Sequence, residues 1–125
     1  MKGLDEMKQS LYERLGGSEN IAQIASDLTD LHIVNPRIAT RYANSDPVLV
    51  KKQVSAFFIA GTGGPDNYSG KDMIAAHRGM NIDNDEFMAV LDDVMQALDM
   101  NGIGQREKEE VLFILYSLKS EVVYL

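Results

Sequence analysis

A histidine in the second half of the chain has the side chain best placed to do chemistry. His77 is one of two histidines in the protein, and it ends the run Met73-Ile74-Ala75-Ala76, which follows a glycine-rich stretch. That stretch interrupts helix-like sequence on both sides, so we expect His77 to lie on a short helix of its own. Its imidazole could bind a metal-centred cofactor from one side, or it could be an ordinary half-exposed histidine bonded to backbone.

Other kinds of catalytic or metal site find little support in the residues. The chain has no cysteine, which removes thiolate metal ligands and cysteine nucleophiles. The glycines of residues 61–65, GTGGP, do not follow a strand, as a phosphate-binding loop requires. Two histidines do not supply the about four ligands of a structural zinc site. One correctly aimed histidine beside a large apolar cleft is, however, enough to hold haem iron.

Composition narrows the class of protein further. With 125 residues, 45% of them hydrophobic, we expect a single domain over residues 1–125 with a proper core. A net charge of −7 repels nucleic acid on average. The sequence has neither a run of about 18 apolar residues nor the apolar core of a signal peptide. We therefore expect a cytoplasmic protein that binds neither nucleic acid nor membranes.

Helical periodicity dominates the chain and predicts four substantial helices and two or three short ones. Ser18 is a plausible N-cap for the first long helix, whose apolar stripe ends before Asn35 and Pro36. Asp46 and Pro47 form a typical start for the next helix. Its expected buried face is Val50, Val54, Phe57, Phe58 and Gly61.

The second half of the chain carries equally clear boundary signals. Residues 69–72, SGKD, can open the short helix of His77, and Gly79 can end it. Residues 83–86, DNDE, resemble a capping box at the start of a long helix. Residues 101–104, NGIG, separate that helix from the last one.

Four segments together resemble the group I truncated haemoglobins. They are LYERLGG at 11–17, NPRI at 35–38, GGPDNYSGKDMIAAH at 63–77 and GMNIDNDEF at 79–87. The run from 63 to 77 is the most specific, and the pattern reads through about residues 10–123 with essentially no gaps. The resemblance implies an all-α truncated globin fold, a two-over-two helical sandwich around haem b, which is iron protoporphyrin IX.

The resemblance also assigns residues to the haem site. His77 matches the proximal histidine, the metal ligand, whose tautomer a backbone hydrogen bond would fix. Other positions match haem contacts or cavity walls: Met73, Tyr42, Phe58, Phe87, Val90, Leu112 and Leu115. Charge and position alone suggest Lys51 and Arg78 as cations near the haem propionates.

On the side where the gas binds, the sequence departs from the family pattern. Thr29, preceded by Leu28, stands where members usually have a tyrosine, and Val54 stands where many have a glutamine. Val50 occupies another distal position. Without the usual pair, loss of a donor worth roughly 1–3 kcal/mol should raise the oxygen off-rate about ten- to a hundredfold. Three nearby polar residues are substitutes that could contact the ligand: Thr29, Gln53 and His32, although His32 could equally be a core-edge residue.

The leading hypothesis is a haem protein that reversibly binds a diatomic gas, O2, CO or NO. Storage, sensing and nitric oxide dioxygenation, which would need a reductase partner, all stay open. The alternative is a haem-free globin-like domain that serves in interaction or signalling. A third option is peroxidase-like chemistry, for which no general acid is evident.

Overall fold

The structure, a computed structural model, describes residues 9–65 and 72–125, and the regular secondary structure within those ranges is helical apart from one isolated β-bridge. Its six described α-helices are α1 (Leu11–Arg14), α2 (Gly17–Val34), α3 (Pro47–Gly61), α4 (Met73–His77), α5 (Asn84–Met100) and α6 (Gln105–Ser117). Two 3₁₀ turns, Ala39–Tyr42 and Lys119–Glu121, complete the secondary structure described. No helix in these ranges is both long enough and apolar enough to cross a membrane.

Four long helices form the sandwich that the resemblance implies. Helix α2 packs against α3 and also against α5, and α5 packs against α6. The main core lies where these helices meet, and its largest fully enclosed side chains include Leu15, Ile21, Ile24, Val94 and Leu98. The all-α class is therefore confirmed, with two helix pairs facing each other.

Helix boundaries follow local chemistry at two predicted places. The Asp46 carboxylate accepts from the Val48 N–H at 3.0 Å, with Pro47 at the first helical position. Asp83 and Glu86 form the expected capping box, with N–H···O distances of 2.8 and 3.2 Å. Each device satisfies backbone donors that a helix start would otherwise leave without partners.

The start of α2 differs from the sequence-based expectation. Ser18 is not the N-cap: α2 begins at Gly17, and Gly16 takes the cap position with a φ of +101°. Glycine adopts this left-handed conformation without steric cost, and a Cβ there would lie 2.8 Å from Asn20 Cβ. Ser18 instead bonds Tyr12, whose hydroxyl lies 2.6 Å from the Ser18 hydroxyl.

Two further predictions about helices have different outcomes. The expected buried face of α3 is only partly buried, because Val50 is half-buried and Gly61 is exposed, whereas Phe58 is 8% exposed. Helix α4 is capped by Asp72, whose carboxylate accepts from the Ala75 N–H at 2.7 Å. The rest of the predicted start, residues 69–71, lies outside the described residues.

The segment after α4 is held by residues 122–125. The Leu125 carbonyl accepts from the N–H groups of Gly79 and Asn81, at 3.1 and 2.8 Å. The Tyr124 N–H donates to the Ile82 carbonyl at 2.8 Å, beside a parallel bridge between Ile82 and Val123. A second, smaller core of Phe87, Leu91 and Val122 packs against Met73 and Ile82. This end of the molecule therefore positions α4 and the loop that follows it.

Candidate functional site

A cavity of about 490 Å³ opens among the helices, and most of its wall is apolar. Helices α2 and α3 supply one part of the wall, and α4, α5 and α6 supply others. Eleven of the residues predicted for the site line it: Leu28, His32, Tyr42, Gln53, Val54, Phe58, Met73, His77, Phe87, Val90 and Leu115. The structure thus gathers side chains from positions 28 to 115 around one space.

His77 stands in this wall with its ring oriented by its own helix. Its Nδ1 lies 2.7 Å from the Met73 carbonyl oxygen. A carbonyl can only accept, so Nδ1 carries the proton, and in a neutral ring Nε2 keeps its lone pair. Among the described residues, no group is hydrogen bonded to Nε2. With the proton fixed on Nδ1, the ring offers one free nitrogen with a lone pair, of the kind that binds metals.

The wall formed by α2 and α3 is largely apolar. Leu28, Val54 and Phe58 line it, together with Gln53, which is an exposed residue. Thr29 does not line the cavity: it is completely buried, and its hydroxyl donates to the Ala25 carbonyl at 2.8 Å. Val50 is half-buried and also lies outside the lining. The structure therefore does not bring the Thr29 hydroxyl or Val50 to the cavity.

A buried polar cluster forms the corner of the cavity where α2 meets α5. His32 Nδ1 lies 2.7 Å from Asp93 Oδ2, and Asn35 Nδ2 donates to the same oxygen at 3.1 Å. His32 is 4% exposed and Asp93 is 7% exposed. Burial lowers the pKa of His32, although the Asp93 hydrogen bond acts in the opposite direction. His32 is thus a neutral ring at neutral pH, held by a carboxylate.

The ring of Tyr42 covers His32. The two ring centroids are 5.6 Å apart, with an angle of 23° between the planes. Burial raises the pKa of the Tyr42 hydroxyl, and the charge of Asp93 adds to the effect. Tyr42 therefore presents an uncharged aromatic surface to the cavity, as expected for a residue that packs on a flat cofactor.

Neither predicted cation lies at the cavity. The Lys51 amino group is 2.9 Å from Asp30 Oδ1, and the residue lines a separate groove beside α2. Arg78 is exposed at the end of α4. The cavity wall instead contains Arg41, which donates from Nε and Nη2 to the Glu86 carboxylate at 2.7 and 2.9 Å. These hydrogen bonds hold the pKa of Glu86 below its ordinary value.

Leu112 is a further predicted wall residue that the structure does not bring to the cavity. It is 37% exposed, whereas Leu115, three positions later on α6, lines the cavity. Positions three apart on a helix differ by about 60° around its axis. That rotation is enough to turn Leu112 towards solvent.

Several wall residues were not predicted from the sequence. They are Ile38, Arg41, Ser45, Phe57, Ala76, Met80, Ile82, Glu86, Leu91, Val94, Leu118 and Val122. Proximity in the sequence could have indicated three of them. Ala76 and Met80 lie within three positions of His77, and Arg41 adjoins Tyr42. The pairing of Asp93 with His32 could not be predicted from local sequence, because the two residues are 61 positions apart.

Comparison with known proteins agrees with this geometry. A family model described as "Bacterial-like globin" matches residues 10–124. A group 1 truncated hemoglobin of Tetrahymena pyriformis is 34% identical over 116 residues, which cover 92% of this chain and 95% of that protein.

Solved structures give the same result for the fold. The truncated hemoglobin from Tetrahymena pyriformis, in its Fe(III) form, superposes with a TM-score of 0.90 at 26% identity, covering 94% of this chain and 100% of that one. The 2/2 hemoglobin from Synechococcus sp. PCC 7002, solved in the cyanomet state with covalently attached heme, gives 0.82 at 24% identity, covering 89% and 94%.

Proposed function

This chain belongs to the bacterial-like globins and, among them, to the group I truncated haemoglobins, which are haem proteins that bind gases; we propose that it holds haem iron through His77 and reversibly binds a diatomic gas. The single observation that carries the assignment of His77 is its free Nε2 in the cavity wall, with Nδ1 fixed by the Met73 carbonyl at 2.7 Å. Haem supplies an iron centre to which O2, CO or NO can bind.

The residues present fit such a cofactor. A cavity of about 490 Å³ lies within the range of roughly 300–1,000 Å³ found for cofactor and ligand sites. Its walls are mostly apolar, and the imidazole of His77 stands among them with Nε2 free. Protein interiors are otherwise close-packed, so a void of this size supports a bound group and weakens the haem-free alternative.

Among the described residues, one cation lines the wall and could meet the propionate groups of the cofactor. Arg41 lines the cavity, whereas Lys51 pairs with Asp30 and Arg78 is exposed. Two Arg41 donors are engaged by Glu86, and Nη1 donates to the Met80 carbonyl at 2.9 Å. Arg41 is nevertheless a better candidate than Lys51 or Arg78 for the neighbourhood of the propionates, because it alone of the three lines the cavity.

The distal wall is poor in hydrogen-bond donors. Leu28, Val54 and Phe58 are apolar, Gln53 is an exposed residue, and the Thr29 hydroxyl is engaged by backbone. His32 in its Nδ1–H tautomer presents a lone pair rather than a donor. A polar gas ligand should therefore escape quickly, whereas CO, which is less polar when bound, should be affected less.

Hemin titration followed in the Soret band tests the assignment of His77. Wild-type protein should take up hemin with one-to-one stoichiometry. His77→Ala should bind it at least about tenfold more weakly, equivalent to about 1.4 kcal/mol. His77→Gly supplemented with free imidazole should recover the wild-type spectrum, because the added ring replaces the missing one.

The only other histidine of the chain provides a matched control. His32→Gln should keep hemin uptake, because the amide can still donate to Asp93. If His77→Ala binds hemin as tightly as the wild type and gives the same spectrum, the assignment of the iron ligand is wrong. If the wild type takes up no hemin, the haem-free alternative replaces this proposal.

A further inference from the structure

We propose that His32 is a proton acceptor in the cavity wall, and that it takes the proton that a weak acid HX, such as hydrogen cyanide, hydrogen sulfide or hydrogen peroxide, loses when it binds at the iron site as its anion. The inference rests on the proposed function, because the anion needs the iron site. It assigns a residue to the proton that ligands of this class lose on binding. It also gives a role to the buried pair of His32 and Asp93.

The geometry around His32 leaves its accepting nitrogen free. Nδ1 lies 2.7 Å from Asp93 Oδ2, and an ionised carboxylate only accepts, so the proton is on Nδ1. Asn35 donates to the same oxygen at 3.1 Å, which keeps the carboxylate in place. The lone pair is therefore on Nε2, for which the described residues provide no hydrogen-bond partner.

The cavity is the space to which Nε2 opens. Two side-chain atoms among the described residues are fully enclosed without a partner, Arg14 Nε and Asn84 Oδ1, and Nε2 of His32 is not one of them. His32 as a whole is 4% exposed and lines the cavity. Nε2 has neither a partner nor complete enclosure among the described residues, and the cavity is the space that His32 lines, so we infer that its accessible surface lies on the cavity side.

The proton transfer balances within the site. HX gives its proton to Nε2, the bonding electron pair stays on X, and X⁻ becomes the ligand at the iron site. The resulting imidazolium stays 2.7 Å from the Asp93 carboxylate, whose charge stabilises it. No oxidant, reductant or second substrate is required.

The charged surroundings favour a neutral ring that can accept a proton. From α5, Asp93 contacts His32 directly, and from the 3₁₀ turn, Tyr42 is stacked on it and is uncharged at neutral pH. Arg41 and Glu86, the other charged wall residues, pair with each other at 2.7 Å. Helix α3 contributes no titratable residue to the wall described. Burial lowers the pKa of His32, so Nε2 is free at pH 7.

Cyanide association with the ferric, haem-loaded protein tests the inference, because cyanide is present as HCN at pH 7. His32→Gln keeps a donor to Asp93 but removes the proton acceptor. It should slow cyanide association about a hundredfold, within the usual range for a lost general base. CO has no proton to lose, so its association with the ferrous protein should change less than about twofold.

The pH profile provides a second readout. In the wild type, cyanide association should slow as the pH falls through the pKa of His32, which burial lowers, and Nε2 becomes protonated; this inflection should be absent from His32→Gln. Asp93→Asn removes the charge that stabilises the imidazolium and should slow cyanide binding by about tenfold. Equal cyanide rates in the wild type and His32→Gln would overturn the inference.

A readout independent of ligand rates is the tautomer of His32. Nitrogen-15 NMR of the diamagnetic ferrous CO form should show a neutral ring protonated at Nδ1 at pH 7. This measurement needs only the wild type, so it decides the matter even if His32→Gln fails to fold. An Nε2–H tautomer, or a six-coordinate ferric spectrum that His32→Gln abolishes, would overturn the inference.

These outcomes separate the two proposals. Failure of the wild type to take up haem would overturn both. Normal haem uptake with unchanged cyanide kinetics in His32→Gln would overturn the role of His32 alone.

Discussion

Replacing Val54 with glutamine should slow oxygen escape from the haem protein about ten- to a hundredfold. Val54 is half-buried and lines the cavity beside Leu28 and Phe58, so a longer side chain there can reach into open space. The amide would add a donor to a ligand that carries partial negative charge. A hydrogen bond of this kind contributes about 1.5–3 kcal/mol, and each 1.4 kcal/mol is tenfold in rate.

Stopped-flow displacement of oxygen by excess CO measures the effect directly. Val54→Met is the matched control, because it has nearly the shape of glutamine but cannot donate. Only Val54→Gln should slow oxygen escape, while CO escape, measured by displacement with NO, should change less in both variants. If Val54→Met slows oxygen as much as Val54→Gln, the cause is steric blocking. If the wild type already releases oxygen slowly and Val54→Gln does not change the rate, a donor is present and our account of the distal wall is wrong.

Three other substitutions test separate parts of the structure. Thr29→Val should leave the oxygen off-rate within about twofold, since the hydroxyl donates to a backbone carbonyl at 2.8 Å; a tenfold rise in stopped-flow would mean that it reaches the ligand. Gly64→Ala should lower the free energy of unfolding in urea by about 1–3 kcal/mol, because the new Cβ would lie 2.5 Å from an aromatic ring. Gly61→Ala is the control: its Cβ would meet nothing within 4 Å, so the change should be neutral or stabilising by up to about 1 kcal/mol. Hydrogen bonding with Arg14 lowers the pKa of Glu110 in the folded protein. The ionised carboxylate therefore stabilises the fold fully at pH values above the unfolded pKa of about 4.3. This stabilisation is lost as the pH falls through the lower pKa of the folded state. Glu110→Gln should therefore be less stable at pH 7 and show a shallower decline below about pH 4.3 in thermal melts; equal slopes would contradict this.

Local chemistry explains why much of the fold could be predicted from the sequence. The caps at Asp46 and Asp83 use groups two or three positions apart, so the sequence contains both partners of each bond. The proximal candidate is similar: His77 Nδ1 bonds a carbonyl four residues earlier on its own short helix. Such features depend on spacing along the chain and need no knowledge of tertiary structure.

The parts of the site that sequence reasoning missed depend on contacts between distant segments. His32 and Asp93 are 61 positions apart, and no periodicity in either helix indicates that they meet. Lys51 looks like a free cation in the sequence, but the packing of α2 against α3 brings it to Asp30.

Side-chain orientation sets another limit on sequence reasoning. A threonine on a helix can direct its hydroxyl outwards or back to the carbonyl one turn earlier, and Thr29 does the latter. Leu112 and Leu115 share one apolar stripe, but only Leu115 is turned to the cavity. The sequence pattern identifies the apolar face of the helix, but tertiary packing decides which residues at the edge of that face are exposed to solvent.

The bonds from residues 122–125 to the loop after His77 have a consequence for biosynthesis. Chains emerge from the ribosome N-terminus first, at about 5–20 residues per second, so α2 and α3 can form before residues 122–125 have been made. Until Leu125 accepts its bonds from Gly79 and Asn81, the loop that follows the helix of His77 lacks two of its backbone hydrogen bonds. We expect firm capture of the cofactor only after residues 122–125 have joined the rest of the fold.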